Sequence, residues 1–435
     1  MHLPDYPTTK KTFTYKVYSK SSYEWDTLVW DVDTWSTGTE KAIVGIWKND
    51  VISDPSFRSV INSGDAEMEI TLARPFDNFG EGQDIQLNNT VECRVFDKEA
   101  PNGTLIFTGY ISSYSPILDD DNSYLTVYVR GVADTLANRM LRDSSGNTTI
   151  AYNSKDPSFI MRDIITKFRD NDLGEIFYTA NSIKDTNTTV SYTFSTNTYK
   201  EALDKVIELC PYFWYYRIDP DGLVTLDEKT TIIDHQISTK KDISYLRPER
   251  NIEDFGNDVY FTGGEVAGSN LFLRTTDPTS IDDYGRVVIR LQDGRVTDSL
   301  TAQIMTNRVL FEKSEPTRRT VVRILDSNGT NFPTNTGYDI ESIKVGQNIQ
   351  ISELTGAVPN PTKWDNFYWD GNLWDNIKSA NIADIMQITS LTYNPDYVEV
   401  EATTRLPEIS KRIEDIKRNL DRNNYLLNPN APTNF

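Results

Sequence analysis

Histidine is almost missing from this chain: two residues in 435, His2 and His235. Triads that turn on an imidazole and His-rich metal sites are thereby nearly excluded. His2 is terminal, and His235 stands in the polar stretch 234–241, where a surface position is expected. Cysteine is equally scarce, with Cys93 and Cys210 alone. Cys210 falls on an apolar helical stripe, which predicts a buried free thiol rather than a redox or metal role. No apolar run approaches the roughly 18 residues that would mark a membrane-spanning helix. The polar opening, residues 1–11, has no apolar core of a secretory signal. A soluble chain made in a cytoplasm is expected. Positive charge is also short, 44 Lys+Arg against 64 Asp+Glu for a net −20. Gripping nucleic acid needs clustered Lys and Arg, so that function is disfavoured. A surface past which a polyanion slides is compatible with this balance. No phosphate loop is present, because Gly263-Gly264 lacks the Lys-Ser/Thr that would complete one. Paired carboxylates can hydrolyse sugars, but 64 acids offer no way to choose a pair. Asp119-Asp120-Asp121 reads as a solvated turn in preference to a cation site. No catalytic residue, metal ligand or cofactor is assigned.

What the chain does have is aromatic residues, 23 Tyr, 18 Phe and 8 Trp, which suit strands and interfaces. Its length suggests two to four domains. Short β-prone runs at 42–51, 66–72, 91–96, 104–111 and 124–129 are separated by turn chemistry such as Asn62-Ser63-Gly64 and Asn102-Gly103. Short strands at near-regular spacing predict a barrel or sandwich. The pattern then changes. Asp156 and Pro157 open a helix whose stripe is Met161, Ile164, Ile165 and Phe168. Thr198 and Glu201 have capping-box spacing before Leu203, Val206, Ile207 and Cys210, and Pro211 ends that helix. Two β-favouring runs, 213–218 and 223–226, flank Asp219-Pro220-Asp221-Gly222 as a hairpin. Strand patterns return at 258–262, 271–273, 287–291, 320–325, 348–351, 386–393 and 398–403. One helix interrupts them at 298–311, with Ala302, Met305, Val309 and Leu310 on its expected buried face.

The expected fold is mainly β with an α+β insert: two similar β-barrel domains flanking a small α+β domain, with a short C-terminal helix. The expected boundaries are 1–149 and 241–405 for the barrels, 150–240 for the insert, and 406–435 for the helix and tail. In that tail Ile409, Ile413, Ile416 and Leu420 recur at alternating spacings of 4 and 3. That is an a/d seam of a kind that favours trimers, although a terminal helix docked on its own domain fits as well.

An internal repeat stands apart. Trp25-Asp26, Trp30-Asp31 and Trp35 are spaced by five, as are Trp364-Asp365, Trp369-Asp370 and Trp374-Asp375. These excursions, 23–38 and 361–378, fall one in each β domain. Sugar stacking on the indoles is one reading. Packing of the indoles on each other or on a neighbouring subunit is preferred, because one copy per domain suits matched assembly surfaces.

Together these pieces resemble the hub family of phage tail tips and baseplates, which includes the structural module of tail-associated lysins. The stretch Asn102-Gly103-Thr104-Leu105-Ile106-Phe107-Thr108-Gly109-Tyr110-Ile111 is similar to the bulky-Phe-x-Gly-x-Ile strand of the first hub barrel. Residues 124–136 are similar to the strand and helix that close it. Residues 156–168 and 198–226 look like the inserted α+β domain. Residues 251–264, Tyr284-Gly285-Arg286 and 298–310 look like the opening of the second barrel, and Val345-Gly346-Gln347-Asn348-Ile349 like a later strand of it. The Trp-Asp excursions are not general features of that family. The resemblance implies a virion structural protein, a homotrimer whose two barrels alternate around a ring of six similar units. Such a ring joins a six-fold tail tube to a three-fold tip, contacts the neighbouring tube, tape-measure, tip or fibre proteins, and lets DNA pass without specific binding. No membrane span is expected. The chain ends soon after its helix, at Phe435, so no lytic domain is expected and a non-enzyme is the leading expectation. A receptor- or carbohydrate-binding tip protein and a tail-associated cell-wall hydrolase are the alternatives.

Overall fold

Strict alternation of apolar and polar residues dictates the first sheet. In strand β5 (Glu67–Leu72), Met68, Ile70 and Leu72 are buried while Glu67 and Glu69 face out. In β6 (Thr90–Phe96), Val91, Cys93 and Val95 point inward. With β1 (Thr12–Tyr18), β2 (Ile43–Trp47), β7 (Thr104–Asp119) and β8 (Asn122–Gly131) they make a six-stranded sheet in the order β2-β1-β6-β7-β8-β5. A bridge between Val51 and Leu72 begins to draw the sheet round on itself. The Phe-x-Gly motif has a steric reason here. A Cβ at Gly109 would lie 2.3 Å from the Arg130 carbonyl oxygen, so only glycine lets β7 approach β8 at that point. The computed structural model describes residues 11–19, 43–73, 84–96, 102–119, 122–172, 175–230, 232–238, 242–251, 255–326, 338–352 and 385–403.

A second sheet comes from the other end of the chain. It comprises β13 (His235–Ser238), β14 (Ile243–Asn251), β18 (Thr317–Leu325), β19 (Asn348–Ser352), β20 (Met386–Asn394) and β21 (Tyr397–Thr403), ordered β13-β19-β20-β21-β18-β14. The two sheets share one wiring. Each contains an antiparallel meander, β6-β7-β8 or β19-β20-β21, and the strand that precedes the meander in sequence, β5 or β18, pairs antiparallel with its last member. They differ at the meander's first strand, whose outer neighbour is antiparallel in the first sheet and parallel in the second.

These sheets bury one continuous core that includes Tyr15, Trp47, Phe107 and Val129 of the first and Val322, Ile349, Tyr393 and Val400 of the second. Phe57 stands between them, its ring 5.2 Å from Phe107 and stacked at 5.2 Å on Tyr393. The central elements have their own core: α1 (Asp134–Ala137), β9 (Thr149–Lys155), α2 (Pro157–Asp172), β10 (Val190–Ser195), α3 (Tyr199–Leu209), β11 (Trp214–Ile218) and β12 (Val224–Glu228). Helix α3 carries the complete capping box, Thr198 accepting from the Glu201 N–H and Glu201 accepting from the Thr198 N–H. Both expected stripes are buried, Ile164, Ile165 and Phe168 packing with Leu203, Val206 and Ile207. The same core continues into a three-stranded sheet, β16-β15-β17, made of β15 (Asp258–Val266), β16 (Ser269–Thr276) and β17 (Val288–Asp293). Helix α4 (Pro278–Tyr284) lies between β16 and β17 in sequence. Helix α5 (Ser299–Lys313) covers one face of that sheet through Ala302 and Met305. Its buried face is Thr301, Ala302, Met305 and Arg308 rather than one including Val309 and Leu310, which are only half-buried. Arg308 can be buried because Glu312 neutralises it at 2.8 Å and it donates to the Ile207 carbonyl. The architecture is mainly β, with its helices concentrated between and beside the two large sheets.

If the large sheets share one core, Phe57→Ala should cost about 3–5 kcal/mol. Chemical denaturation of the variant measures this. A loss under about 1 kcal/mol would show that the sheets do not depend on this ring.

Candidate functional site

The six repeat tryptophans, Trp25, Trp30, Trp35, Trp364, Trp369 and Trp374, lie outside the described residues, as do Ile409, Ile413, Ile416 and Leu420. The first excursion is bracketed by β1 and β2 and the second by β19 and β20. These are different steps of the shared wiring.

The reactive side chains that are described are locked away. Cys93 and Cys210 are buried and free, and burial pushes both thiols up, Cys210 to about 12. His235 is buried, not on the surface as its polar neighbours suggest. It alternates inward with Ile237 on β13, while Gln236 faces out. Its Nε2 is hydrogen-bonded to Gln347 Oε1 at 2.9 Å and its Nδ1 to the Tyr338 hydroxyl at 2.7 Å. Among the described residues no group of three His, Cys, Asp or Glu is placed to hold a metal ion.

One hairpin joins the units through polar contacts. Residues 57–66 form a small hairpin of β3 (Phe57–Val60) and β4 (Gly64–Asp65), and this hairpin touches all three parts. β3 adds to the second sheet, pairing Phe57 with Tyr393 and Val60 with Ser390. The Ala66 carbonyl accepts from the Gly131 N–H of the first sheet at 2.9 Å. At the tip, Asn62 engages the central unit. Its Oδ1 accepts from the Tyr216 N–H at 2.8 Å, its N–H donates to the Tyr216 carbonyl at 2.9 Å, and its carbonyl accepts from Lys200 Nζ at 2.8 Å. Lys200 in turn neutralises buried Asp204 at 2.5 Å, and the Tyr216 hydroxyl donates to the same carboxylate oxygen at 2.8 Å. Asn62 holds φ at +57°, a conformation that asparagine tolerates better than most residues. Gly64 is at +92°, and a Cβ there would meet those of Ala133 at 2.9 Å and Ile218 at 3.2 Å. The turn Asn62-Ser63-Gly64 is visible in sequence; its role as a junction is not, because every partner is distant in the chain.

Two charge clusters reinforce the junctions. Lys11, at the start of the first sheet, reaches Asp326 and Glu341 of the second region at 2.7 Å each, and the Tyr393 hydroxyl donates to Glu341 at 2.7 Å. These side chains are nearly inaccessible, so removing one would leave uncompensated buried charge. Asp65 lies near Asp219 of the β11–β12 turn and Lys344 before β19, and Asp219 pairs with Arg217 at 3.1 Å. Burial is the largest influence on the Asp65 carboxyl and pushes it up to about 7. A hydrogen bond with Ser59 and the charge of Lys344 pull the other way, and the charge of Asp219 adds to the rise.

The comparisons with known proteins bear on the fold. No protein-family model matches the sequence and no curated protein does. Solved structures do. Prophage tail protein gp18 of Listeria monocytogenes has a TM-score of 0.53 at 12% identity, over 94% of this chain and 99% of that one. The 43 kDa tail protein of prophage MuSo2 from Shewanella oneidensis has 0.53 at 12%, over 91% and 98%. A tail protein from Neisseria meningitidis has 0.53 at 10%, over 91% and 96%. This chain carries the fold of phage tail proteins. The tail-protein fold accommodates the stretches that first carried the resemblance: residues 102–111 run into β7, 124–131 are in β8, 198–226 span α3 to β12, and 345–349 lead into β19.

Two outcomes follow for the junction. Asn62→Ala strands the buried Tyr216 N–H and should cost about 1–3 kcal/mol in chemical denaturation; an unchanged midpoint would remove the tip contact from the account. Asp65 binds its proton more tightly in the folded state, so its contribution is intact near pH 4 and falls away as pH rises to 7. Asp65→Asn should therefore gain melting temperature on the wild type progressively between pH 4 and 7 and hold a constant difference above. A difference that does not vary with pH would contradict the tighter proton binding of Asp65 in the folded state.

Proposed function

We propose that this protein is a structural component of a phage virion, the tail-tip or baseplate hub, acting as a trimeric ring between a six-fold tube and a three-fold tip. The observation that carries this reading is the repeated wiring. One polypeptide contains two large sheets with the same meander and the same preceding strand on its far side. A chain with two similar barrel-like halves can present six similar units with three copies, which is what a symmetry adaptor requires. The domain division at 149, 240 and 405, with barrels on either side of the α+β unit, belongs to this proposal. A net charge of −20 suits a passage that DNA traverses without adhering. The neighbours in this reading are tube, tape-measure and tip or fibre proteins. The tryptophans of 23–38 and 361–378 are proposed as contacts between subunits or with those neighbours. The stripe Ile409, Ile413, Ile416 and Leu420 is proposed as a three-stranded helix seam. No catalytic role is proposed.

Light scattering of the purified chain tests the reading. A mass three times that of the 49.7 kDa chain, or a multiple of it, is expected. A single-chain mass at every concentration would overturn it.

A further inference from the structure

The sheet β16-β15-β17 is covered on one face by α5 and exposes Phe272, Arg274, Val288 and Arg290 on the other, where Asp258 is nevertheless buried. Phe261 points into the core beneath α5, and Val259 on the same face is fully buried. The opposite face is set out in rows by the strand register: Thr262 beside Phe272 and Gln292, then Tyr260 beside Arg274 and Arg290, then Asp258 beside Thr276 and Val288. Phe272 is 62% exposed and Val288 46%. Arg274 lies over the Tyr260 ring at 5.1 Å and grips Asp258 through two bonds of 2.9 Å, while Arg286 shares that carboxylate at 3.3 Å. Arg290 is exposed in the same row as Tyr260. The face therefore holds three guanidiniums against one carboxylate in a chain of net −20. Arginine, tyrosine and phenylalanine together are the composition of a protein contact centre. Exposed apolar residues on a regular sheet face would otherwise carry an association hazard.

The same chain has a face of opposite balance. On the outside of β5 and β8, Glu67 stands opposite Arg130 and Glu69 opposite Tyr128. Both glutamates are exposed and both act on the Tyr128 hydroxyl. Arg130 pairs with Asp134 at 3.4 Å. Here three carboxylates meet one guanidinium, the converse of the first face, on the last two strands of the six-stranded order.

We propose that the arginine-aromatic face of β15–β17 docks on the acidic β5–β8 face of a second copy of this chain. Such a contact is head-to-tail: each copy offers one face to the copy ahead and the other to the copy behind, and a closed ring follows when the rotation permits. It rests on the trimeric-ring reading and assigns that ring a contact surface. Association is then steered by charge and weakens with salt.

The test is a charge exchange in the full chain, read by light scattering over a concentration series. Arg290→Glu and Glu69→Lys should each raise the dissociation constant of the assembly at least tenfold, with melting of the single chain unchanged. The double variant should restore it to within a few fold of the wild type. Phe272→Ser should weaken assembly with no restoration by Glu69→Lys. An assembled wild type whose mass is indifferent to all three single changes overturns this contact and leaves the ring reading standing. A wild type that never assembles overturns both.

Discussion

Everything in this fold is referred to the ten residues between Phe57 and Ala66. A strand, a turn and a two-residue return place one edge on the second large sheet, one carbonyl on the first, and an asparagine tip in the central unit. The geometry works because two positions accept left-handed backbone and because Gly64 has no side chain where Ala133 and Ile218 pass. Each contact is modest by itself, on the order of 1 kcal/mol for a hydrogen bond. Together with the core shared by the two large sheets, they fix the relative placement of the three parts.

That constraint explains where the chain spends its polar chemistry. Lys11 with Asp326 and Glu341, Lys200 with Asp204, and Arg217 with Asp219 all sit at or beside joints. Buried ion pairs contribute little net stability but penalise any arrangement that separates the partners. They thus favour one arrangement of the units over alternatives. The thiols and the single described histidine, by contrast, are buried, and His235 is hydrogen-bonded through both ring nitrogens.

Much of the local structure was legible in the sequence. The capping box at Thr198 and Glu201, the apolar stripes of α2 and α3 and the Asp-Gly hairpin turn depend on residues within a few positions of each other, and they appear as read. The meander strands showed through their alternation. What escaped was non-local. β13 and β14 lie in polar stretches whose strand character comes from pairing with β19 and β18, far along the chain. His235 was read as exposed because its neighbours are polar, although the inward alternation with Ile237 was present in the letters. The continuity of the α+β core with β15–β17 and α5 could not be read, since no periodicity states which of two cores a strand will join. Of the expected site residues, the tryptophan repeats and the terminal stripe lie outside the described residues, and the junction hairpin was visible only as a turn.

The hub proposal requires that one chain carry two similar halves so that three copies stand in for six. Averaged electron micrographs of the purified assembly, viewed down its axis, decide it. The claim predicts a closed ring of six similar lobes with three-fold symmetry and an open centre. A ring with any other count of lobes, or particles without a ring, would contradict it.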